Sequence, residues 1–250
     1  LKIYLGIPST HSRVDGQNYV LRDIEKKYAG RVELVYPAHC VHRIFHDYAR
    51  NEIVEEFLKS DCDVLWFLDS DIIPPANILD LILDEEKPWK VAGSAYPVFM
   101  TPEGYEDPQV VFCIYNKGAS GGLHAARLPK SGTSYVDGLA TGCMFIRKEV
   151  FQDLQKPYFE FKYDRESRAM VEGEDLGFCR KVNALGMQFL TDYALVCKHY
   201  KTIDLLDANN YAIQYANQAV ISYDAQIRPQ VAALVERLKG TRPKSGLILP

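Results

Sequence analysis

Two carboxylates one residue apart, Asp69 and Asp71, follow the run Val64-Leu65-Trp66-Phe67-Leu68. Five consecutive apolar residues, several of them branched or aromatic, read as a strand buried on both faces. Strand side chains alternate with a period of two, so if strand geometry continues, Asp69 and Asp71 point to the same side. Like charges crowded at the end of a strand repel each other, and a divalent cation relieves that repulsion. Carboxylate oxygens suit a hard ion such as Mg²⁺ or Mn²⁺, which also takes phosphate oxygens from a substrate. Taken alone, Asp-x-Asp is just as much a polar turn after a core strand. Its position gives it more weight, because the carboxyl ends of strands line the ligand crevice of an open α/β sheet.

A second pair of carboxylates opens the segment Gly173-Glu174-Asp175-Leu176-Gly177-Phe178-Cys179-Arg180-Lys181-Val182. Leu176, Cys179 and Val182 share a helical face, which places Glu174 and Asp175 in the first turn. Acidic residues there suit the helix dipole by roughly 0.3–1 kcal/mol each, a sufficient structural reason for their presence. The functional alternative is a general base on a rigid element, which the dipole would keep ionised near neutrality. Gly138, Ala140, Thr141 and Gly142 precede the apolar strand Cys143-Met144-Phe145-Ile146. They either let backbone approach a ligand closely or serve tight sheet packing. The loop Pro8-Ser9-Thr10 after the first strand is either a nucleotide-holding loop or a plain turn.

These residues need a scaffold to bring them together. Lys2 to Ile7 and Arg31 to Tyr36 have strand patterns, with a helix between them over Gln17 to Tyr28, stopped by Gly30. Val41 to Ser60 is the longest helical pattern, its stripe formed by Val41, Ile44, Phe45, Tyr48, Val54, Phe57 and Leu58. Arg50 and Asn51 fall near its middle, either reaching a nucleotide or facing solvent. Ala76 to Glu86 follows as a helix and Val91 to Ser94 as a fourth strand. Alternating strands and helices imply a mainly parallel α/β sheet flanked by helices. After Tyr96 the rhythm breaks into a meander or insertion over residues 97–133. Further on come a short helix (Arg147 to Leu154), an aromatic strand (Tyr158 to Phe161) and a last strand (Met187 to Val196). His199 sits just past it, and two C-terminal helices are expected over 205–218 and 224–239.

Composition sets the outer limits. With 250 residues and 47% apolar content, the chain can bury a large core without staples. A net charge of −4 gives no global pull toward nucleic acid or anionic membrane. Six dispersed cysteines without a Cys-x-x-Cys pair argue against structural zinc and fit buried thiols in a reducing compartment. No apolar run approaches the ~20 residues of a spanning helix. The chain opens on a strand-like segment with no basic-then-apolar leader, which makes the cytoplasm the expected compartment.

As a set and in this order, Asp69-Ser70-Asp71 after a buried strand, Thr141-Gly142-Cys143, Glu174-Asp175 and His199 resemble the GT-A (Rossmann-like) fold of nucleotide-sugar glycosyltransferases, especially family-2-like inverting enzymes. The resemblance covers about residues 1–200. It implies a nucleotide-binding half over 1–95, an acceptor half over 96–200, and a helical extension over 201–250. It further implies that Asp69, Asp71 and His199 hold Mn²⁺ or Mg²⁺ on the donor diphosphate, with a UDP-sugar favoured. Asp175, or its neighbour Glu174, would be the base that deprotonates the acceptor. Pro8, Thr10, Arg50 and Gly142 would lie near the nucleotide. The chain lacks the Gln-x-x-Arg-Trp motif and the membrane helices of processive synthases. The acceptor is open among a glycan, a protein, a small molecule and a hydroxylated base in DNA; Arg43, Arg50, Lys162, Arg165, Arg168, Lys198 and Lys201 are the cations a DNA acceptor would use. Rival readings are a nucleotidyltransferase and a catalytically silent nucleotide-sugar-binding protein.

Overall fold

All five side chains of Val64–Leu68 are withdrawn from solvent, so this strand lies inside a sheet covered on both faces. The computed structural model describes residues 1–8, 14, 16–37, 45–100, 109–119, 121–126 and 132–201. Thr10, Cys40, Arg43 and the two expected C-terminal helices lie outside them. Leu1–Tyr200 forms one compact unit.

Its main sheet has seven strands: β1 (Lys2–Gly6), β2 (Glu33–Val35), β3 (Val64–Leu68), β4 (Val91–Gly93), β5 (Thr133–Val136), β6 (Cys143–Arg147) and β7 (Phe189–Asp192). They lie in the order β2-β1-β3-β6-β4-β7-β5. β1 runs parallel to β2 and β3, and β7 parallel to β4. The protein is thus an α/β fold with a mainly parallel sheet. One departure matters for function: β6 is wedged between β3 and β4, antiparallel to both. Its register sets Cys143 opposite Leu68, so the small residues before β6 arrive beside Asp69.

The period of two in β3 divides the core. Val64, Trp66 and Leu68 face one side, where α1 (Gln17–Lys27) contributes Leu21 and Ile24 and Trp66 stacks on Phe145 at 4.9 Å. Leu65 and Phe67 face the other, where α2 (His46–Lys59) and α3 (Glu174–Ala184) pack. There Phe159 bridges the elements, edge-on to Phe67 at 5.4 Å and stacked on Phe178 at 4.6 Å. Of the helix expected over 76–86, only Asp80–Leu83 is helical. The aromatic segment 158–161 is no strand. Asn51 holds it in place, its Oδ1 accepting from the Tyr158 and Phe159 N–H groups and its Nδ2 donating to the Phe159 carbonyl.

The break after Tyr96 is a small antiparallel sheet of Pro97–Met100, Gln109–Lys117, Leu123–Ala126 and Gly138–Leu139. A hairpin not expected from the sequence pairs Lys162–Tyr163 with Met170–Glu172. Finally, Lys198–His199 pairs antiparallel with Ile72–Ile73. Cys62, Cys113, Cys143, Cys179 and Cys197 are free and buried.

Candidate functional site

Strand geometry stops at Leu68. Residues 69–72 form a turn closed by the Ile72 N–H donating to the Asp69 carbonyl at 3.0 Å. The expectation that Asp69 and Asp71 project from a continuing strand therefore fails, and the two carboxylates take different partners. A residue the sequence did not single out holds the turn. Gln17, fully buried at the start of α1, donates from Nε2 to the Asp69 and Ile72 carbonyls at 2.8 and 2.7 Å. Two carbonyl acceptors fix the orientation of its amide, since a flip would face oxygen to oxygen. On the neighbouring strand side, the Asp69 N–H donates to the Gly142 carbonyl at 2.9 Å.

Asp69 turns toward Arg50. Nη2 donates to Asp69 Oδ2 at 3.2 Å, and Nη1 lies 3.0 Å from Oδ1 as an ion pair outside hydrogen-bond angles. Arg50 Nε also reaches Glu174 Oε1 at 3.4 Å. Burial alone would lower the Arg50 guanidinium, but the Asp69 and Glu174 charges outweigh it and hold it above its ordinary value. The sequence pattern placed Arg50 off the apolar stripe of α2. Its spacing to Ile53, Val54 and Phe57 is i, i+3, i+4, i+7, and all four are buried. Its charge faces Asp69 and Glu174 rather than solvent.

Asp71 meets His199 instead, through the pairing of Ile72–Ile73 with Lys198–His199. His199 Nε2 stands 3.3 Å from Asp71 Oδ2, across 128 residues of chain. Its other nitrogen, Nδ1, lies 2.8 Å from the Pro97 carbonyl, which can only accept, so Nδ1 carries a proton. Nε2 then faces the carboxylate either as the second donor of an imidazolium or as a bare lone pair. The second arrangement is a ligand pair for a cation. Ligand atoms about 2.1 Å from one ion and at right angles lie about 3 Å apart, close to the separation seen. Among the described residues no cluster of three His, Cys, Asp or Glu side chains is close enough to hold a metal ion. Asp69 therefore stands apart from the Asp71–His199 pair.

Tyr96 links these parts. Its ring stands edge-on to His199 with centroids 5.1 Å apart, and its hydroxyl accepts from the Gly142 N–H at 3.2 Å. A Cβ on Gly142 would lie 2.6 Å from the Tyr96 oxygen, so the close approach requires glycine. Gly142 thus packs against both Tyr96 and the Asp69 turn.

Asp175 follows Glu174 in the first turn of α3. Burial first, then the adjacent Glu174 charge, push its carboxyl up to about 6. The expected lowering by the helix dipole does not prevail. Asp175 Oδ1 accepts from the Leu176 N–H at 2.8 Å. Its charge also helps to raise Tyr96, Cys113 and Tyr115, after burial as the main cause. Pro8 is buried at the end of β1. Of the cations weighed for a DNA acceptor, Arg50 is only 2% exposed and Lys162 lies 3.6 Å from Glu172. No helix among the described residues is long and apolar enough to cross a membrane.

No protein-family model matches the chain, and no curated protein does. Similarity is found among solved structures. A197 from STIV is 18% identical, with 81% of this chain and 87% of that one covered at a TM-score of 0.49. GalNAc-T7, solved with UDP, GalNAc and Mn²⁺, is 14% identical over 81% of this chain and 43% of its own, at 0.46. The catalytic domain of Drosophila β1,4-galactosyltransferase 7, in complex with xylobiose, is 14% identical over 80% of this chain and 71% of that one, at 0.41.

Proposed function

We propose that this chain is a metal-dependent glycosyltransferase of GT-A type. In this reading it moves a sugar from a nucleoside diphosphate-sugar, UDP-linked in the favoured case, to an acceptor hydroxyl with inversion. The observations that carry the reading are a cation-type pair, Asp71 and His199, with Tyr96 edge-on to the histidine, and a half-buried carboxyl at Asp175 pushed up to about 6.

Each residue then has a distinct task. Asp71 Oδ2 and His199 Nε2 would hold Mn²⁺ or Mg²⁺, and the proton on Nδ1 keeps the Nε2 lone pair directed at the carboxylate. Asp69, held by Arg50 and set apart from this pair, would join them only by giving up part of that ion pair. When bound there, the ion supplies positive charge to a departing diphosphate. Glu174 is engaged by Arg50, which leaves Asp175 as the base. A carboxyl near 6 is largely ionised at neutral pH yet more basic than an ordinary aspartate, so it can take the acceptor's proton as the new bond forms.

The test is nucleoside diphosphate release from a panel of nucleotide sugars with Mn²⁺, with glycan, peptide and small-molecule alcohols as acceptors. Metal-dependent release that Asp175→Asn abolishes is the expected result. Undiminished release by Asp175→Asn removes the base assignment, and no release from any donor counts against the whole reading.

A further inference from the structure

Every carbonyl of the turn at 69–72 accepts a hydrogen bond, and the donors outside the turn come from two segments distant in the chain. Gln17 Nε2 donates to the Asp69 and Ile72 carbonyls. Just before it, the Val14 main-chain N–H donates to the Ser70 carbonyl at 2.9 Å. From the other side the Tyr200 N–H donates to the Asp71 carbonyl at 2.9 Å, extending the pairing of Ile72–Ile73 with Lys198–His199. The turn is thus clasped between the start of α1 and the strand that carries His199.

Gln17 is the side chain in this clasp, and it takes the two carbonyls that bracket Asp71. Its residue is fully buried, and Oε1 has no hydrogen-bond partner among the described residues. An unpaired buried acceptor costs stability. An apolar side chain of the same length would fill the space without that cost, but it would lack the two donors. The backbone is shaped to the same contact. Gly16, immediately before Gln17, has a φ of +96°, a conformation suited to glycine, and a Cβ there would lie 3.4 Å from Ile73 Cδ1.

We infer that Gln17 is a positioning residue for the cation pair: its amide sets the Asp69–Ile72 turn so that the Asp71 carboxylate faces His199 Nε2. The inference rests on the reading of Asp71 and His199 as metal ligands. His199 is fixed independently, by its Nδ1–H bond to the Pro97 carbonyl and by the Tyr96 ring. The separation of the two ligand atoms, 3.3 Å, therefore depends on the turn. With the amide gone, the Asp69 carbonyl keeps the Ile72 N–H, while the Ile72 carbonyl loses its side-chain donor. The peptides around Asp71 then gain freedom to rotate. A ligand pair in place for about one-tenth of the time binds its ion about tenfold more weakly.

The test uses the full chain and compares wild type with three variants. Gln17→Met keeps the length of the side chain without its donors, and Gln17→Asn keeps an amide one methylene short of the two carbonyls. Leu21→Ala removes a buried side chain one turn further along α1 that takes no part in the clasp. Mn²⁺ affinity is followed by the paramagnetic resonance of the free ion, and the His199 ring nitrogens by ¹⁵N NMR without metal, all below the onset of melting. Every variant is expected to melt below wild type. Both Gln17 variants bind Mn²⁺ about tenfold or more weakly, and their His199 signals move toward those of Asp71→Asn. Leu21→Ala keeps the affinity and the His199 signals of wild type. Wild-type Mn²⁺ affinity or unmoved His199 signals in the Gln17 variants would overturn the inference. Equal losses in Leu21→Ala would also overturn it, because the effect would then follow stability alone. If wild type itself binds no Mn²⁺, the metal reading falls and the His199 signals decide. Moved in the Gln17 variants and not in Leu21→Ala, they uphold Gln17 as the residue that positions Asp71 against His199; unmoved, they refute it.

Discussion

Arg50 Nη1 stands 3.0 Å from Asp69 Oδ1 in the interior of the protein, with the arginine side chain 3% exposed. The same guanidinium reaches Glu174, so one helix position ties the end of β3 to the start of α3. Removing one partner of a buried pair strands the remaining charges, a loss of about 3–5 kcal/mol. Arg50→Met is expected to lose stability of that order in urea unfolding. Adding Glu174→Gln to it recovers part of the loss, because one stranded carboxylate is neutralised. A loss below about 1 kcal/mol in Arg50→Met would mean that water compensates these charges.

Asp175→Asn is expected to separate activity from stability. Folding raises this carboxyl from 3.8 to about 6, so between those values the folded chain holds a proton that the unfolded chain has released. Stability therefore falls as pH rises from about 4 to about 6 and stays lower by roughly 2–3 kcal/mol at higher pH. The asparagine variant lacks that decline and melts higher than wild type near pH 8, while transfer is lost. In wild type, kcat/KM rises with pH through about 6. A melting difference that does not change with pH would contradict the shift.

Gly142→Ala tests the Tyr96 contact. The added Cβ would sit 2.6 to 2.8 Å from three tyrosine atoms, and the ring is braced against His199. A cost of about 1–3 kcal/mol is expected in thermal unfolding. Mn²⁺ affinity falls with it, because Tyr96 moves against the His199 ring. Wild-type stability and metal affinity in Gly142→Ala would remove Tyr96 as the link between the two sides of the site.

Asp71→Ala and His199→Ala are each expected to weaken Mn²⁺ binding, followed by the paramagnetic resonance of the free ion, by about tenfold or more. Asp69→Asn keeps the size of the side chain but disturbs the Arg50 pair, so its loss is expected in stability as well as in metal affinity. Unchanged Mn²⁺ titrations in both Asp71→Ala and His199→Ala would remove the pair as a metal site.

The sequence carries the central strand because five buried apolar residues admit few other readings, and it carries the α/β alternation up to Val91. It does not carry what the tertiary structure adds. The insertion of β6 between β3 and β4 is a long-range pairing with no local signature. Carrying strand periodicity through Asp71 failed because Gln17, 52 residues before Asp69, closes the chain into a turn there. A stripe drawn through apolar residues alone leaves Arg50 out, although its spacing to Ile53, Val54 and Phe57 marks the buried face. Asp71 and His199, grouped by the resemblance, meet through a two-residue pairing that has no local signature of its own.

The most direct measurement is isothermal titration calorimetry of UDP and other nucleoside diphosphates into the protein, with Mn²⁺ and with EDTA, in wild type and Asp71→Ala. The account predicts saturable binding of one nucleoside diphosphate with Mn²⁺, lost in EDTA and weakened at least about tenfold in Asp71→Ala. Binding of none of them, or binding equally strong in EDTA and in Asp71→Ala, would contradict it.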